Sequence, residues 1–304
     1  MSTLDINDRR TFTSELGGQA LMKRRLKSVL KHAAAMLALA FALLPILWVL
    51  SSAFNPRNTL SGQTSLIPSE LSVENFRLLF NNPNVLFGTW VKNSLIVSGV
   101  SAILQVIIAA FAAYAFSRFR FKGRRAGMMT LLMVQIFPQF LAITAIYYIM
   151  TAITDVAPAI GKNTLWGLIL VYLGGALGVN SWLIKGFFDT VPKELDESAA
   201  IDGAGHAQTF FGIVLPLAAP AIAVVGTLSF IGTLNDFILA SVLLTSEENK
   251  TAAVGLQNFI SVAYSEQWGP FTAGALILSI PVVILFLFLQ RYIVEGLAAG
   301  SVKG

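Results

Sequence analysis

"KNSLIVSGVSAILQVIIAAFAAYAFSRFRFKGRR", residues 92–125, is a long run of apolar and small side chains closed by a cluster of cations. A bilayer core of about 30 Å is crossed by roughly 20 apolar residues in a helix. No water reaches the backbone there, so only helices or closed barrels satisfy every N–H and C=O. The run lacks the strict alternation of a barrel strand. Residues 92–116 therefore read as a membrane helix. Arg118, Arg120, Lys122, Arg124 and Arg125 mark the loop after it as cytoplasmic, because positively charged loops are retained on that side.

The same criterion selects five more segments, at about 33–53, 127–150, 165–184, 218–243 and 270–290. Composition agrees: in 304 residues, 55% are hydrophobic and 12% charged, and the mean hydropathy is +0.71. The expected fold is an all-α membrane protein of about six transmembrane helices. Lys23, Arg24, Arg25, Lys27 and Lys31 precede the first span, and an even number of spans returns the chain to its starting side, so both termini are expected in the cytoplasm. Segments 54–91, 151–164 and 244–269 carry few cations (Arg57, Arg77, Lys162, Lys250) and are expected outside. The first span is too long and too far from the start for a cleaved signal, and reads as an anchor. The division that follows is a cytoplasmic segment 1–32, of which 1–20 is polar and expected to be mobile, a membrane domain 33–290 that includes a cytoplasmic loop 185–217, and a cytoplasmic tail 291–304.

Several chemistries are excluded. Cysteine is absent, and His32 and His206 are the only histidines, so thiolate and multi-histidine metal sites have no ligands. No GxxxxGK[ST] frame is present, so nucleotide must be bound by another chain. The net charge of +5 sits beside apolar runs and reads as topology rather than a nucleic-acid surface. The basic stretch 22–32 meets membrane lipid, either as a plain flank or by binding anionic headgroups. No cofactor is implied.

"ELDESAAIDGAGHAQTFFGIVLPLAAP", residues 194–220, interrupts this apolar chain with four acids. Pro192 suits a helix start, and Glu194, Asp196 and Glu197 meet the positive end of the helix dipole. Ser198, Ala199 and Ala200 have little bulk, and Gly203 can take the left-handed conformation that ends a helix. A second helix from about Ala207 to Leu215 is expected to stop at Pro216. Small residues admit a close partner, and Phe210, Phe211, Ile213 and Val214 form more apolar surface than a solvated connector exposes, so the loop reads as a docking element.

Glu197-Ser198-Ala199, three residues, Gly203, nine residues, then Ile213-x-Leu215-Pro216 resembles the EAA motif of bacterial ABC-importer permeases, with Ser198 in place of the family's Ala. Further stretches, among them 65–80, 112–124, 251–259 and 296–304, resemble the maltose/maltodextrin group and within it the smaller permease subunit. The resemblance implies a bacterial plasma-membrane sugar-transport subunit that is not itself an enzyme. It implies a second, larger permease, a homodimeric cytoplasmic ATPase and an extracytoplasmic sugar-binding protein as partners. It also implies that Glu197, Ser198, Ala199, Asp202, Gly203, Ile213, Leu215 and Pro216 couple to the ATPase. The tail Gly300, Ser301, Val302, Lys303 and Gly304 would reach the ATPase interface, and Gln257, Asn258, Phe259, Tyr264 and Gln267 would face the binding protein. In that group sugar is held mostly by the larger subunit, which implies few sugar contacts here; maltose, maltodextrin, trehalose and other glycosides stay open.

Asn235 and Asp236 lie well inside the fifth apolar run. An ionisable group at membrane depth is costly and normally faces a pore, a partner or water. The pair reads either as pathway residues or as interfacial caps. Gln135, Pro138 and Gln139 read either as a polar kink or as ties between helices, and Trp90, Trp166 and Trp268 at span ends read as interfacial anchors. The alternative function, an ion-driven secondary transporter, needs coupling carboxylates and paired repeats. Asp236 is the one carboxylate placed for it, and no repeat supports it. A membrane hydrolase lacks a convergent acid pair, His or Cys in the spans.

Overall fold

A computed structural model describes the backbone of residues 4–56, 70–136, 139–261 and 267–301. The described residues contain helices and turns and no strand. The helices are α1 (Leu4–Ala53), α2 (Glu74–Asn81), α3 (Phe87–Arg118), α4 (Arg124–Ile136), α5 (Ile143–Val156), α6 (Leu165–Leu173), α7 (Ser181–Phe188), α8 (Glu194–Ile201), α9 (His206–Thr209), α10 (Leu215–Leu217), α11 (Ala219–Leu234), α12 (Ile238–Leu243), α13 (Ala252–Gln257) and α14 (Trp268–Ser301).

Three helical stretches, Arg24–Ala53, Phe87–Arg118 and Trp268–Gln290, are long and apolar enough to cross a bilayer unaided. Two further segments, 165–188 and 206–234, are apolar enough only when each is taken as a bent pair of helices, with bends of 46° and 77°. The expected span 127–150 is divided between α4 and α5, which are separate helices on either side of a short 3₁₀ turn at Gln139–Ala142. The segment 1–20, expected to be mobile, is helical from Leu4 onward as the start of α1.

Packing explains why α3 stands at the centre. One face carries Ser94, Ser98, Ser101, Ala102, Gln105, Ala109 and Ala113, all buried. Their three- and four-residue spacing makes a stripe of small side chains that lets neighbouring helices approach closely. Against it pack α6, α7, α11 and α13. Lipid is as apolar as leucine, so the outward faces stay greasy: Leu37 and Phe41 of α1 are 77% and 76% exposed.

Three buried clusters stabilise the bundle. Ala113, Tyr114, Ile184, Phe188, Phe210 and Val214 pack at the inner end of α3. Val97, Met150, Leu168, Ala240 and Leu243 pack towards its outer end. Phe87, Trp90, Leu256 and Ala273 join α3, α13 and α14. Trp90, expected as an interfacial anchor, is 1% exposed. Its indole Nε1 donates to the carbonyl of Glu247 at 2.9 Å, and a Cβ at Gly255 would lie 2.3 Å from the ring. Trp90 is thus a core residue whose N–H is satisfied by an outer loop. Trp166 is 56% exposed, in keeping with an interfacial anchor.

Candidate functional site: an inner loop and a cavity at membrane depth

The loop expected on the inner side is built from a helix, a glycine turn and a helix, at the Arg-rich end of α3. Gly203 has φ +84. Around it Ala204 N–H donates to Ala199 O at 2.9 Å and Gly203 N–H to Ala200 O at 3.1 Å. This is a Schellman ending, which requires the left-handed conformation a glycine adopts without strain. A Cβ at Gly203 would meet nothing within 4 Å, so glycine is required there by backbone conformation and not by crowding within this chain. The next helix is entered at Gly205, whose N–H donates to Gln208 Oε1 at 2.8 Å.

Its end differs from expectation. Pro216 does not stop the chain: the helical path runs to Leu217 and turns by 77° before Ala219. Pro216 has no N–H for the carbonyl of Gly212, and the turn just before it, Phe210–Val214, is a widened π-type turn.

Arg118, the last residue of α3, carries the loop. Its side chain is 6% exposed. Nη1 donates to Phe188 O and Nη2 to Val191 O, each at 3.0 Å, and Nε lies 2.6 Å from Asp196 Oδ2. One planar guanidinium thus fixes the end of α7, the following turn and the first turn of α8. Beside it Ser117 Oγ donates to Asp189 Oδ1 at 2.7 Å, and Lys185 pairs with the same carboxyl. Burial raises the Asp189 carboxyl, but hydrogen bonds from Lys185 and Ser117 and the charges of Lys185 and Arg124 outweigh it and hold the group below its ordinary value.

The apolar surface is used differently from the expectation. Phe210, 3% exposed, stacks within the chain, 4.9 Å from Tyr114 and 5.3 Å from Phe111 between ring centres, and Val214 is fully buried. These residues fasten the loop to the bundle instead of facing a partner. Ala199 is buried too. Leu215 and Ile213 are half-buried, while Glu197, Ser198, Asp202, Gly203 and Pro216 are exposed. Next to them Ile201 is 88% exposed. The outward face of α8 and its turn is therefore small, acidic and tipped by one isoleucine.

Midway along the apolar helices, α3, α4, α5, α6, α7, α11 and α12 line an open cavity of about 690 Å³. Two chain breaks meet on it. Between α6 and α7 the backbone leaves the helical path at Gly178, and Gln135 of α4 fills the gap. Gln135 Nε2 donates to Gly175 O at 2.9 Å and Oε1 accepts from Val179 N–H at 2.8 Å. A Cβ at Gly178 would overlap that side chain. Gln135 is thus both a tie between helices and a cavity wall. Between α11 and α12, Asp236 Oδ1 accepts from Ala240 N–H at 3.1 Å and from Tyr172 Oη at 2.9 Å. Asp236 thus caps α12 and lines the cavity. Asn235 turns to a different hollow, beside Gln257, Phe271 and Ser279, so the pair does not act on one space.

The outer loop residues stand apart from both places. Gln257 ends α13, Phe259 packs on the cluster of Phe87, Trp90, Leu256 and Ala273, and Gln267 N–H donates to Phe259 O at 2.9 Å. Asn258 and Gln267 are exposed. Gly300 and Ser301 continue α14 as helix. Pro138, Tyr264, Val302, Lys303 and Gly304 lie outside the described residues. Sequence reasoning missed Arg118, Tyr172, Gln105 and Asn180. The last two carried a signal, since a carboxamide within an apolar run needs a partner.

Residues 105–298 match the family described as binding-protein-dependent transport system inner membrane component. The chain is 41% identical over 262 residues to the galactooligosaccharides transport system permease protein of Bacillus subtilis (strain 168), covering 86% of this chain and 90% of that one. It is 39% identical to the maltodextrin transport system permease protein of Streptococcus pneumoniae (strain ATCC BAA-255 / R6), covering 93% and 98%. To the maltose/maltodextrin permease protein of Vibrio vulnificus (strain YJ016) it is 38% identical, covering 90% and 95%. In fold it is similar to a chain of a bacterial ABC transporter involved in import of the acidic polysaccharide alginate, with TM-score 0.71 and 21% identity over 88% of this chain and 96% of that one.

Proposed function

The chain belongs to the binding-protein-dependent transport system inner membrane component family, and on that premise we propose that it passes neutral oligosaccharides of the maltodextrin or galacto-oligosaccharide kind across the membrane. It is a permease subunit of an ABC importer and not an enzyme; it works with a second permease, an ATPase and a substrate-binding protein. The sugar class rests on the names of relatives that are about two-fifths identical over most of the chain.

The observation that carries the mechanism is the Arg118 clamp beneath α8 and the Gly203 turn. A homodimeric ATPase closing on ATP pushes the exposed face of Glu197, Ser198, Ile201, Asp202 and Gly203. Ala199 and Arg118 transmit that displacement to α7 and α3, and Phe210, Ile213, Leu215 and Pro216 carry it into α11 through the bend at Ala218. Helices that are broken at 174–180 and 235–237 then tilt by halves, opening the path alternately to each side. A sugar-loaded binding protein meets the outer surface that includes Gln257, Asn258, Phe259, Tyr264 and Gln267, and Gly300, Ser301, Val302, Lys303 and Gly304 reach the ATPase.

The test is purification of the intact complex, with identification of its subunits and assay of its ATPase in vesicles. Maltodextrin or galacto-oligosaccharide, with the binding protein, should stimulate hydrolysis and be accumulated. Accumulation by this chain alone on an ion gradient would contradict the proposal.

A further inference from the structure

Resting on the importer function, we propose that the cavity of about 690 Å³ is a sugar-binding subsite carried by this subunit itself, with Asp236, Asn180 and Ser229 as its hydrogen-bonding wall. This runs against the expectation that sugar contacts fall mostly to the larger permease. The volume lies within the range of about 300–1,000 Å³ usual for small-molecule pockets.

Position is the first argument. Gln105, on the cavity wall, lies 18 residues into α3, about 27 Å from its start, and 13 residues, about 20 Å, from Arg118. Both helix breaks border this one space, through Gly175 and Val179 on one side and Asp236 on the other. Irregular backbone at membrane depth is tolerated where it is buried in protein or lines a cavity, and transporters place substrate at such interruptions.

Chemistry is the second. The polar groups form one connected set: Gln105 Nε2 donates to Tyr172 O at 3.2 Å, and Asn180 Nδ2 donates to Gln105 Oε1 at 3.3 Å and to Ser229 Oγ at 3.1 Å. Tyr172 in turn donates to Asp236 Oδ1. These bonds fix the side chains and leave groups over. Among the described residues Asp236 Oδ2 and Asn180 Oδ1 accept no hydrogen bond, and the Ser229 hydroxyl donates none. Two acceptors and one donor on a preorganised wall suit the hydroxyls of a neutral polyol. Among the described residues no basic side chain lines the cavity, which disfavours an anionic sugar. Val134, Ile146, Leu183 and Leu239 supply an apolar surface for the C–H face of a pyranose ring.

The chain has no cysteine, so a single introduced thiol, read on this chain after its separation from the other subunits, reports on one place. Gly232 lines the cavity, and a Cβ there meets nothing within 4 Å, so Gly232→Cys places a thiol in it without displacing a neighbour. The experiment uses the reconstituted complex with its binding protein, a membrane-impermeant thiosulfonate reagent, and maltotriose or a β-galactotriose as probe. The sugar that stimulates the ATPase should slow labelling of Gly232→Cys, while the other leaves it unchanged. Asp236→Asn, which keeps an acceptor for Ala240 N–H, should raise KM for uptake about tenfold with kcat less affected, as expected for one lost charge-assisted bond to substrate. Labelling that is the same with and without a sugar the complex demonstrably transports overturns the subsite and leaves the importer function standing. So does an Asp236→Asn variant whose kcat falls at unchanged KM, since sugar binding is then untouched by the lost carboxylate. A complex whose ATPase answers to neither sugar overturns the functional premise and the subsite with it.

Discussion

Replacing Arg118 with Met removes the side chain that holds the inner loop while leaving most of its apolar volume. Two hydrogen bonds to carbonyls at 3.0 Å and the contact of 2.6 Å with Asp196 are lost together. Breaking a buried ion pair from one side costs about 3–5 kcal/mol. Asp196 is 22% exposed, so water takes part of the missing partner's place, and the lower end, about 3 kcal/mol, applies. At about 1.4 kcal/mol per tenfold, the equilibrium between docked and released loop shifts by about 100-fold. Hydrogen exchange in the purified complex reads this directly: amides of 194–205 should exchange up to about 100-fold faster while those of the α3 midsection do not change. ATP hydrolysis should continue, with less sugar moved per ATP. Arg118→Lys should fall between, because one ammonium cannot reach at once the two carbonyls and the Asp196 carboxylate that the planar guanidinium spans. Unchanged exchange and an unchanged transport-to-hydrolysis ratio in Arg118→Met would refute the clamp.

Gly203→Ala should weaken the turn by about 1–2 kcal/mol, the cost of a left-handed residue with a Cβ, and Gly203→Asn by less. Because nothing in this chain approaches that Cβ, any further loss of uptake that grows with side-chain size in a Gly203→Val and Gly203→Phe series measures crowding against the ATPase; a flat series would deny contact there. Gly255→Ala should lower the thermal midpoint of the complex, since the added methyl overlaps Trp90 and such overpacking costs about 1–3 kcal/mol; a Trp90→Leu, Gly255→Ala double variant should recover part of it. Asp189 has a folded value below its unfolded one, so its contribution is present above the ordinary carboxylate range and is lost as pH falls through the lowered value. Asp189→Asn should accordingly flatten the loss of thermal stability on acidification, and an unaltered acid limb would contradict the assignment.

The apolar runs and the glycine turn were legible in the sequence because each rests on a local rule: bilayer thickness, and a left-handed ending that glycine favours. The interruptions at 174–180 and 235–237 were not, since apolar residues resume on both sides of each and neither breaks the run in a hydropathy window. What makes them stable is distant, with Gln135 reaching them from 44 residues away at Val179 and Tyr172 from 64 away at Asp236. Arg118 was read as one cation among several marking the cytoplasmic side, and its burial is set by carbonyls of α7 and the turn after it that no spacing displays. Phe210 and Trp90 were misjudged for one reason. An aromatic residue, in a loop helix like Phe210 or at a span end like Trp90, has the same composition signal whether it meets lipid, a partner or its own bundle, and only packing on Tyr114 or Gly255 decides between them.

The central claim is that force enters through the outward face of α8, and Ile201, 88% exposed at its end, is the place to measure it. A benzophenone side chain introduced at Ile201 in the purified, ATP-hydrolysing complex should, on illumination, join this chain to the ATPase subunit, with a yield that changes between the nucleotide-free and ATP-trapped states. Exclusive attachment to lipid or to the second permease in both states would contradict it.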